Sequence, residues 1–236
     1  MANNIKNSTN LELPKKHFDL SLCKPVAKGA KKLIFYYPND NDLLIKVLKP
    51  FKKSKEKNII FDTISKLRQW YIVRLFYREI REYGKLKRSV NSGLCKHIPA
   101  FYGIADTNYG KGMIVEAIKE KDGGLCQTLK ERLKSGNVQK DHILLLQEFF
   151  DNLTVSDIVA GDINSANLVL ACHDGENKFV MIDGLGDKTL IPFRSWFPGS
   201  KRSFLEKKYI KLKARIEQAL RLQEINPNDQ ERDNNS

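Results

Sequence analysis

The stretch Val159-Ala160-Gly161-Asp162-Ile163-Asn164-Ser165-Ala166-Asn167-Leu168-Val169-Leu170 decides how this chain is read. A short apolar run leads into a loop holding an aspartate and an asparagine five residues apart, and a second apolar run, Leu168 to Ala171, leads out. A third, Phe179-Val180-Met181-Ile182, ends in Asp183-Gly184, with the turn signal Asp174-Gly175 between the two. The pattern predicts a hairpin that gathers Asp162, Asn167 and Asp183 at one end. One carboxylate to orient a hydroxyl, with an amide and a second carboxylate to hold Mg²⁺, is a set suited to phosphoryl transfer. Asp and Asn are also common loop residues that fall at this spacing by chance, so the rest of the chain has to decide.

With 236 residues the chain can bury one large core or two compact ones. A net charge of +13 and a pI near 9.5 favour an anionic partner: nucleic acid, an acidic membrane surface, or the phosphates of a nucleotide or lipid. A generally basic, soluble surface is the plain alternative. No recognised nucleic-acid motif accompanies the charge, which makes nucleic acid the weakest of these partners. Cys23, Cys95, Cys126 and Cys172 are scattered, without a Cys-x-x-Cys pair or a histidine at ligand spacing, so free thiols are expected and a zinc site is not. The opening MANNIKNSTNLELPKK lacks the apolar core of a secretory signal, and no apolar run is long enough to span a bilayer. The expected address is cytoplasmic.

Residues 1–16 read as a disordered tail. Phe18 to Leu22, Leu33 to Tyr37 and Leu43 to Leu48 read as three strands, with Val26 to Lys32 between the first two. That connector holds Gly29 among small residues and lysines, which suits a polyphosphate but equally an ordinary turn. Lys46 sits inside an apolar strand, where a lysine is either solvated or held for a purpose. From Thr63 to about Arg88 a helix is expected, with Ile64, Leu67, Tyr71, Leu75, Ile80, Tyr83 and Leu86 as its apolar stripe. Glu79 or Glu82 on that helix is placed to face Lys46, with an ordinary surface salt bridge as the alternative. His97 to Ile104 and Lys111 to Ile118 complete five strands, and Glu116 to Gly124 reads as a hinge. Helices follow around Leu129 to Leu153. The last helix, Ser203 to about Leu222, carries an apolar stripe and many lysines, which suits either a domain cap or an anionic membrane surface. Peripheral attachment at the inner membrane is therefore a second reading of the address.

A loop-linked strand pair, a strand lysine, a helical glutamate, a hinge and then Asp-x4-Asn and Asp-Gly occur in the order of the protein-kinase-like fold, which residues 18 to about 190 resemble. The resemblance implies an α+β, two-lobed protein: tail 1–16, a five-stranded N-lobe over 17–118, a truncated helical C-lobe over 119–224, and a tail over 225–236. It implies ATP and Mg²⁺ as cofactors. Gly29, Lys46, Glu79 and Glu116 would serve the nucleotide, Asp162 with Lys46 the catalysis, and Asn167 with Asp183 the metal. A closer resemblance is to the bacterial PhoP regulatory network YrbL type. It rests on Leu44-Ile45-Lys46, Arg78-Glu79-Ile80, Ile98 to Gly103, and above all Thr189-Leu190-Ile191-Pro192 with Trp196 after it. That family implies a link to regulation of envelope and cation stress.

The chain departs from ordinary protein kinases. Ala160-Gly161 stands where His-Arg usually precedes the aspartate, which removes the arginine that would pair with a phosphorylated activation loop. Gly-Asp-x4-Asn is similar instead to antibiotic, choline-type and RIO kinases. Asn164 stands where many kinases place a lysine that neutralises the transferred group, so a basic residue from elsewhere would have to replace it. Gly184-Leu185-Gly186 follows Asp183, no Ala-Pro-Glu follows, and little chain remains for a peptide-docking lobe. Two functions are weighed: a phosphotransferase acting on a hydroxyl of a protein, a sugar or another small molecule, and a kinase-fold regulatory binding protein without catalysis.

Overall fold

The computed structural model describes residues 17–51, 59–88, 93–173, 175–187 and 198–225. The chain is mixed α+β and divides into two compact units, the first formed by residues 1–73 and 100–117, the second by 74–99 and 118–236. The expected tails over 1–16 and from 226 onward, and the Thr189–Pro192 and Trp196 elements, lie outside the described residues.

The first unit is built on a six-stranded sheet rather than the expected five. Its strands are β1 (His17–Phe18), β2 (Ala27–Lys28), β3 (Lys32–Tyr37), β4 (Asp40–Leu48), β5 (Phe101–Thr107) and β6 (Gly110–Glu116), in the order β1-β5-β6-β4-β3-β2. The count differs because the first expected strand breaks almost at once. Asp19 accepts from the N–H and hydroxyl of Ser21, and Cys23 N–H closes a turn on Leu20, so the alternation through Leu22 ends at Phe18. The following connector then contributes β2, which pairs antiparallel with β3. Leu20, Phe35, Leu43, Ile45, Val47, Ala105 and Ile114 form the apolar cluster of this unit. The Asn108-Tyr109 turn joins β5 to β6 as expected, and Asn108 also accepts from Leu20 N–H.

Helix α1 (Ile59–Arg88) is shared between the units, which meet in its sequence at Val73 and Arg74. Its expected stripe holds at Tyr83 and Leu86, which are buried, and at Tyr71, Leu75 and Ile80, which are half-buried, but not in its first turns. Ile64 and Leu67 are 57% and 64% exposed, whereas Phe76, Arg78, Glu79, Glu82, Tyr83 and Leu86 are buried. Charged side chains hold half of the inward face, and a search for apolar periodicity passes over them.

The second unit holds a 3₁₀ turn (Gly93–His97), α2 (Leu129–Lys134), α3 (His142–Val155), the hairpin β7 (Leu168–His173) and β8 (Glu176–Met181), and α4 (Pro198–Ile225). The described helices therefore number four. Thr128 and Glu131 make a reciprocal cap at the start of α2. The β7–β8 register pairs Leu168 with Met181, as the expected hairpin requires. Phe150 of α3 meets Tyr209 of α4 edge-on at 5.6 Å, and Leu205, Leu212 and Ile216 of α4 are buried. The apolar stripe of α4 thus packs on α3. No helix among the described residues is long and apolar enough to cross a membrane.

Two histidines in this core set a pH dependence. Nδ1 of His97 donates to Phe179 C=O at 2.8 Å and Nε2 accepts from Asn152, while Nδ1 of His142 accepts from Gln139 N–H at 3.1 Å. Protonation would set donor against donor at Asn152 and at Gln139. Burial holds both imidazoles below the usual 6.5, outweighing the nearby carboxylates of Glu148 and Asp141. A folded-state pKa below the unfolded value gives stability that is present above about pH 6.5 and lost as pH falls toward the folded pKa. Thermal unfolding is expected to shift to lower temperature between pH 7.5 and pH 5.5, and a His97→Gln/His142→Gln variant should lose most of that slope.

Candidate functional site

Residues Val159 to Asn167 make a loop held by its own polar groups. Ala160 forms bridges with Leu185 and Gly186, and Val159 C=O accepts from Gly186 N–H at 2.7 Å. Gly184 C=O accepts from both Gly161 N–H and Asp162 N–H, at 3.0 and 3.1 Å. Asn167 donates from Nδ2 to Asp162 C=O at 2.8 Å, and its own C=O accepts from Ile182 N–H at 2.9 Å. The second unit therefore brings Asp162, Asn167 and the Asp183-Gly184 step together, as the sequence predicts.

Asn164 has a role that its sequence position conceals. Its Nδ2 donates to Asp162 Oδ1 at 3.0 Å, and its Oδ1 accepts from Ala166 N–H at 2.9 Å. The residue that lacks a kinase lysine's charge thus fixes the rotamer of the aspartate. Gly184 is demanded by space as well as by its φ of +100°. A Cβ there would stand 2.8 Å from Asp162 Cβ and C=O and 3.2 Å from Asn167 Nδ2.

Helix α1 braces this loop through charges that the sequence did not single out for the task. Glu82, 1% exposed, accepts from Val159 N–H at 3.0 Å and pairs with Lys85 at 2.9 Å. Arg78 donates to Asp187 C=O at 2.9 Å, and a Cβ added at Gly186 would stand 3.2 Å from Arg78 Cβ and 3.4 Å from Glu79 N. Lys201 of α4 donates to Ser156 C=O, and its burial pulls the ammonium below the usual lysine pKa. Glu79 is itself 4% exposed, one turn from Glu82 on the same face.

The other nucleotide candidates belong to the first unit. Lys46 is 3% exposed in the middle of β4, opposite Ile34 on β3 and Met113 on β6. A solvated strand face is therefore not its setting. Gly29 is exposed in the β2–β3 turn, its N–H donating to Lys32 C=O at 3.0 Å; an added Cβ would meet only that oxygen, at 3.8 Å. Glu116 ends β6, donating its N–H to Ala100 C=O and accepting Ala100 N–H on its carboxylate.

Asn167 and Asp183 offer hard oxygen donors. Because Asn167 Nδ2 is committed to Asp162 C=O, its carbonyl oxygen is the end available to a cation. Asp183 Oδ1 accepts from Gly184 N–H at 2.7 Å, which fixes the carboxylate at the head of the Gly-Leu-Gly segment. One carboxylate and one amide oxygen fit Mg²⁺, which keeps several waters and takes its remaining ligands from phosphates. Among the described residues no group of three or more His, Cys, Asp or Glu is placed to hold a metal.

Residues 18–217 match the sequence pattern of the family described as PhoP regulatory network protein YrbL. The chain is 25% identical over 183 residues to the Escherichia coli (strain K12) protein named Uncharacterized protein YrbL, covering 75% of this chain and 77% of the relative. The Shigella flexneri protein of the same name matches with the same identity and coverage.

Proposed function

We propose, from the premise that the chain belongs to the family described as PhoP regulatory network protein YrbL, that it is an atypical phosphotransferase of protein-kinase-like fold. It would transfer the γ-phosphoryl group of ATP to a hydroxyl. The observation that carries this reading is the convergence of Asp162, Asn164, Asn167 and Gly184 through short hydrogen bonds. A structural loop needs no aspartate whose rotamer is fixed by a second side chain while the carboxylate stays partly open to solvent.

In this reading Asp162 accepts the proton of the attacking hydroxyl, and Asn164 holds its carboxylate in place for that. Asn167 and Asp183 would hold Mg²⁺, which would neutralise charge on the phosphates of ATP, the phosphoryl donor. Lys46 would contact the α- and β-phosphates, and its burial fits a lysine kept for an anion. Of the two glutamates weighed in the sequence, Glu82 is committed to Val159 and Lys85. Gly29 would lie over the phosphates and Glu116 would open the segment at adenine. The address is cytoplasmic, and any attachment to an anionic inner-membrane surface would rest on the charged side of α4, since its apolar side is packed.

A second reading, a regulatory binding protein of the same fold without catalysis, is favoured by the single glycine at Gly29 and by the neutral Asn164. A thermal-shift titration with Mg²⁺-ATP tests nucleotide binding. Wild type should be stabilised by about 2.7 kcal/mol at a hundredfold excess over the dissociation constant, and Asp183→Asn should lose the Mg²⁺-dependent part. No stabilisation of the wild type at millimolar nucleotide would remove both ATP and the transferase.

A further inference from the structure

The first turns of α1 stand in solvent, although their sequence is not that of a solvated helix. From Asp62 to Trp70 every residue is exposed except Ser65, which is half-buried. Ile64, Leu67 and Trp70 are 57%, 64% and 51% exposed, and their spacing of three sets them along one side of the helix. Tyr71 continues that side, and the ammonium of Lys31, itself exposed, lies over its ring at 5.6 Å from the centroid. Single exposed apolar residues are common on any surface, but three in register form a patch. The charge around it is positive. Asp62, the one acid between residues 62 and 71, is paired with Lys66 at 2.7 Å. Arg68 is exposed and makes no hydrogen bond or ion pair among the described residues. The sequence entering the helix, Lys52-Lys53-Ser54-Lys55-Glu56-Lys57, adds four lysines against one glutamate.

Size and charge select the occupant of this face. A second copy is disfavoured on both counts. Three side chains fall far short of the roughly 800 Å² that each partner of a stable pair buries, and two chains of net charge +13 repel one another. An anionic bilayer surface meets neither obstacle. It is fluid and needs no shaped groove, and its charge complements that of the chain. Trp, Leu and Ile enter the boundary between headgroups and acyl chains, while Lys and Arg stay among the headgroups. We propose that the first turns of α1 are an anchor for an anionic lipid surface, with Ile64, Leu67 and Trp70 inserted and Arg68 and Lys31 on the headgroups. This adds an inserted, apolar component to the electrostatic attraction that the charged side of α4 offers. It does not rest on the phosphotransferase reading.

The test measures co-sedimentation of the full chain with vesicles of phosphatidylcholine, alone or mixed with phosphatidylglycerol. Wild type should bind the mixed vesicles and not the neutral ones, and binding should weaken as salt rises. The chain has two tryptophans, so a Trp196→Phe protein leaves Trp70 as the sole indole. Its emission should move to the blue with mixed vesicles and be quenched when they carry brominated lipid. Leu67→Ser and, separately, Ile64→Ser should weaken binding about tenfold, and Arg68→Glu should weaken it as well. All three should keep the wild-type unfolding midpoint, because the side chains replaced are exposed. Absence of binding to the mixed vesicles would overturn the anchor. Undiminished binding by both serine variants, with loss on replacing Lys207, Lys208 and Lys211 of α4 by glutamate, would overturn it and assign attachment to α4. A wild-type dimer in light scattering that Leu67→Ser converts to monomer would overturn it and assign the face to a second copy.

Discussion

Asp162→Asn is expected to lower the rate of phosphoryl transfer by about 10²–10⁴ while leaving the fold intact. The substitution keeps the shape of the side chain and an oxygen that can still accept from Asn164 Nδ2, now at 3.0 Å from Asp162 Oδ1. The backbone bonds that shape the loop, from Asp162 N–H to Gly184 C=O and from Asn167 Nδ2 to Asp162 C=O, do not involve the carboxylate at all. What disappears is the ability to take a proton from the acceptor. Transfer measured with saturating Mg²⁺-ATP should therefore fall in kcat, with nucleotide binding nearly unchanged. Undiminished transfer by Asp162→Asn would remove the residue from the mechanism.

Gly184→Ala should be the most damaging single-methyl change near the site. The new Cβ would sit 2.8 Å from both Asp162 Cβ and Asp162 C=O, and the backbone at φ +100° is one that alanine adopts only under strain. Strained backbone and overpacking each cost about 1–3 kcal/mol, so a combined loss on the order of 3 kcal/mol is expected. Gly184 C=O receives two N–H groups of the loop, so the damage should extend to transfer activity as well as to the unfolding midpoint. Gly29→Ala is the matched control. Its added methyl meets nothing closer than 3.8 Å, and urea unfolding should be nearly unchanged. Equal destabilisation by the two changes would contradict the packing account.

The hairpin was legible because its signals are local. Apolar runs at Leu168–Ala171 and Phe179–Ile182 with Asp174-Gly175 between them leave little choice of pairing, and the loop residues follow from it. Strand pairing at the start of the chain was not legible, because Asp19 and Ser21 turn the backbone with side-chain hydrogen bonds that an alternation pattern does not register. Helix α1 was legible in part, since Tyr83 and Leu86 of its expected stripe are buried while Ile64 and Leu67 are exposed. Its inward face also carries Arg78, Glu79 and Glu82; the two glutamates were weighed as inward candidates, whereas Arg78 leaves no trace in an apolar periodicity. The consequence is that the loop's main brace, Glu82 on Val159, was visible only as a rival partner for Lys46. Arg215, which donates to the Ser165 hydroxyl at 2.9 Å, was hidden differently. It lies fifty residues from Ser165 in sequence, and α4 read as a generically basic helix in which no single arginine stood out.

The central claim, that the chain transfers phosphoryl groups, is tested most directly by the ATP-to-ADP turnover of the wild-type protein with Mg²⁺ and a panel of protein, sugar and small-molecule hydroxyl acceptors. The account predicts ADP well in excess of the protein present, dependent on Mg²⁺, matched by a phosphorylated product and nearly abolished in Asp162→Asn. Tight Mg²⁺-ATP binding without ADP formation above the Asp162→Asn background would contradict it and leave a nucleotide-binding regulatory protein in its place.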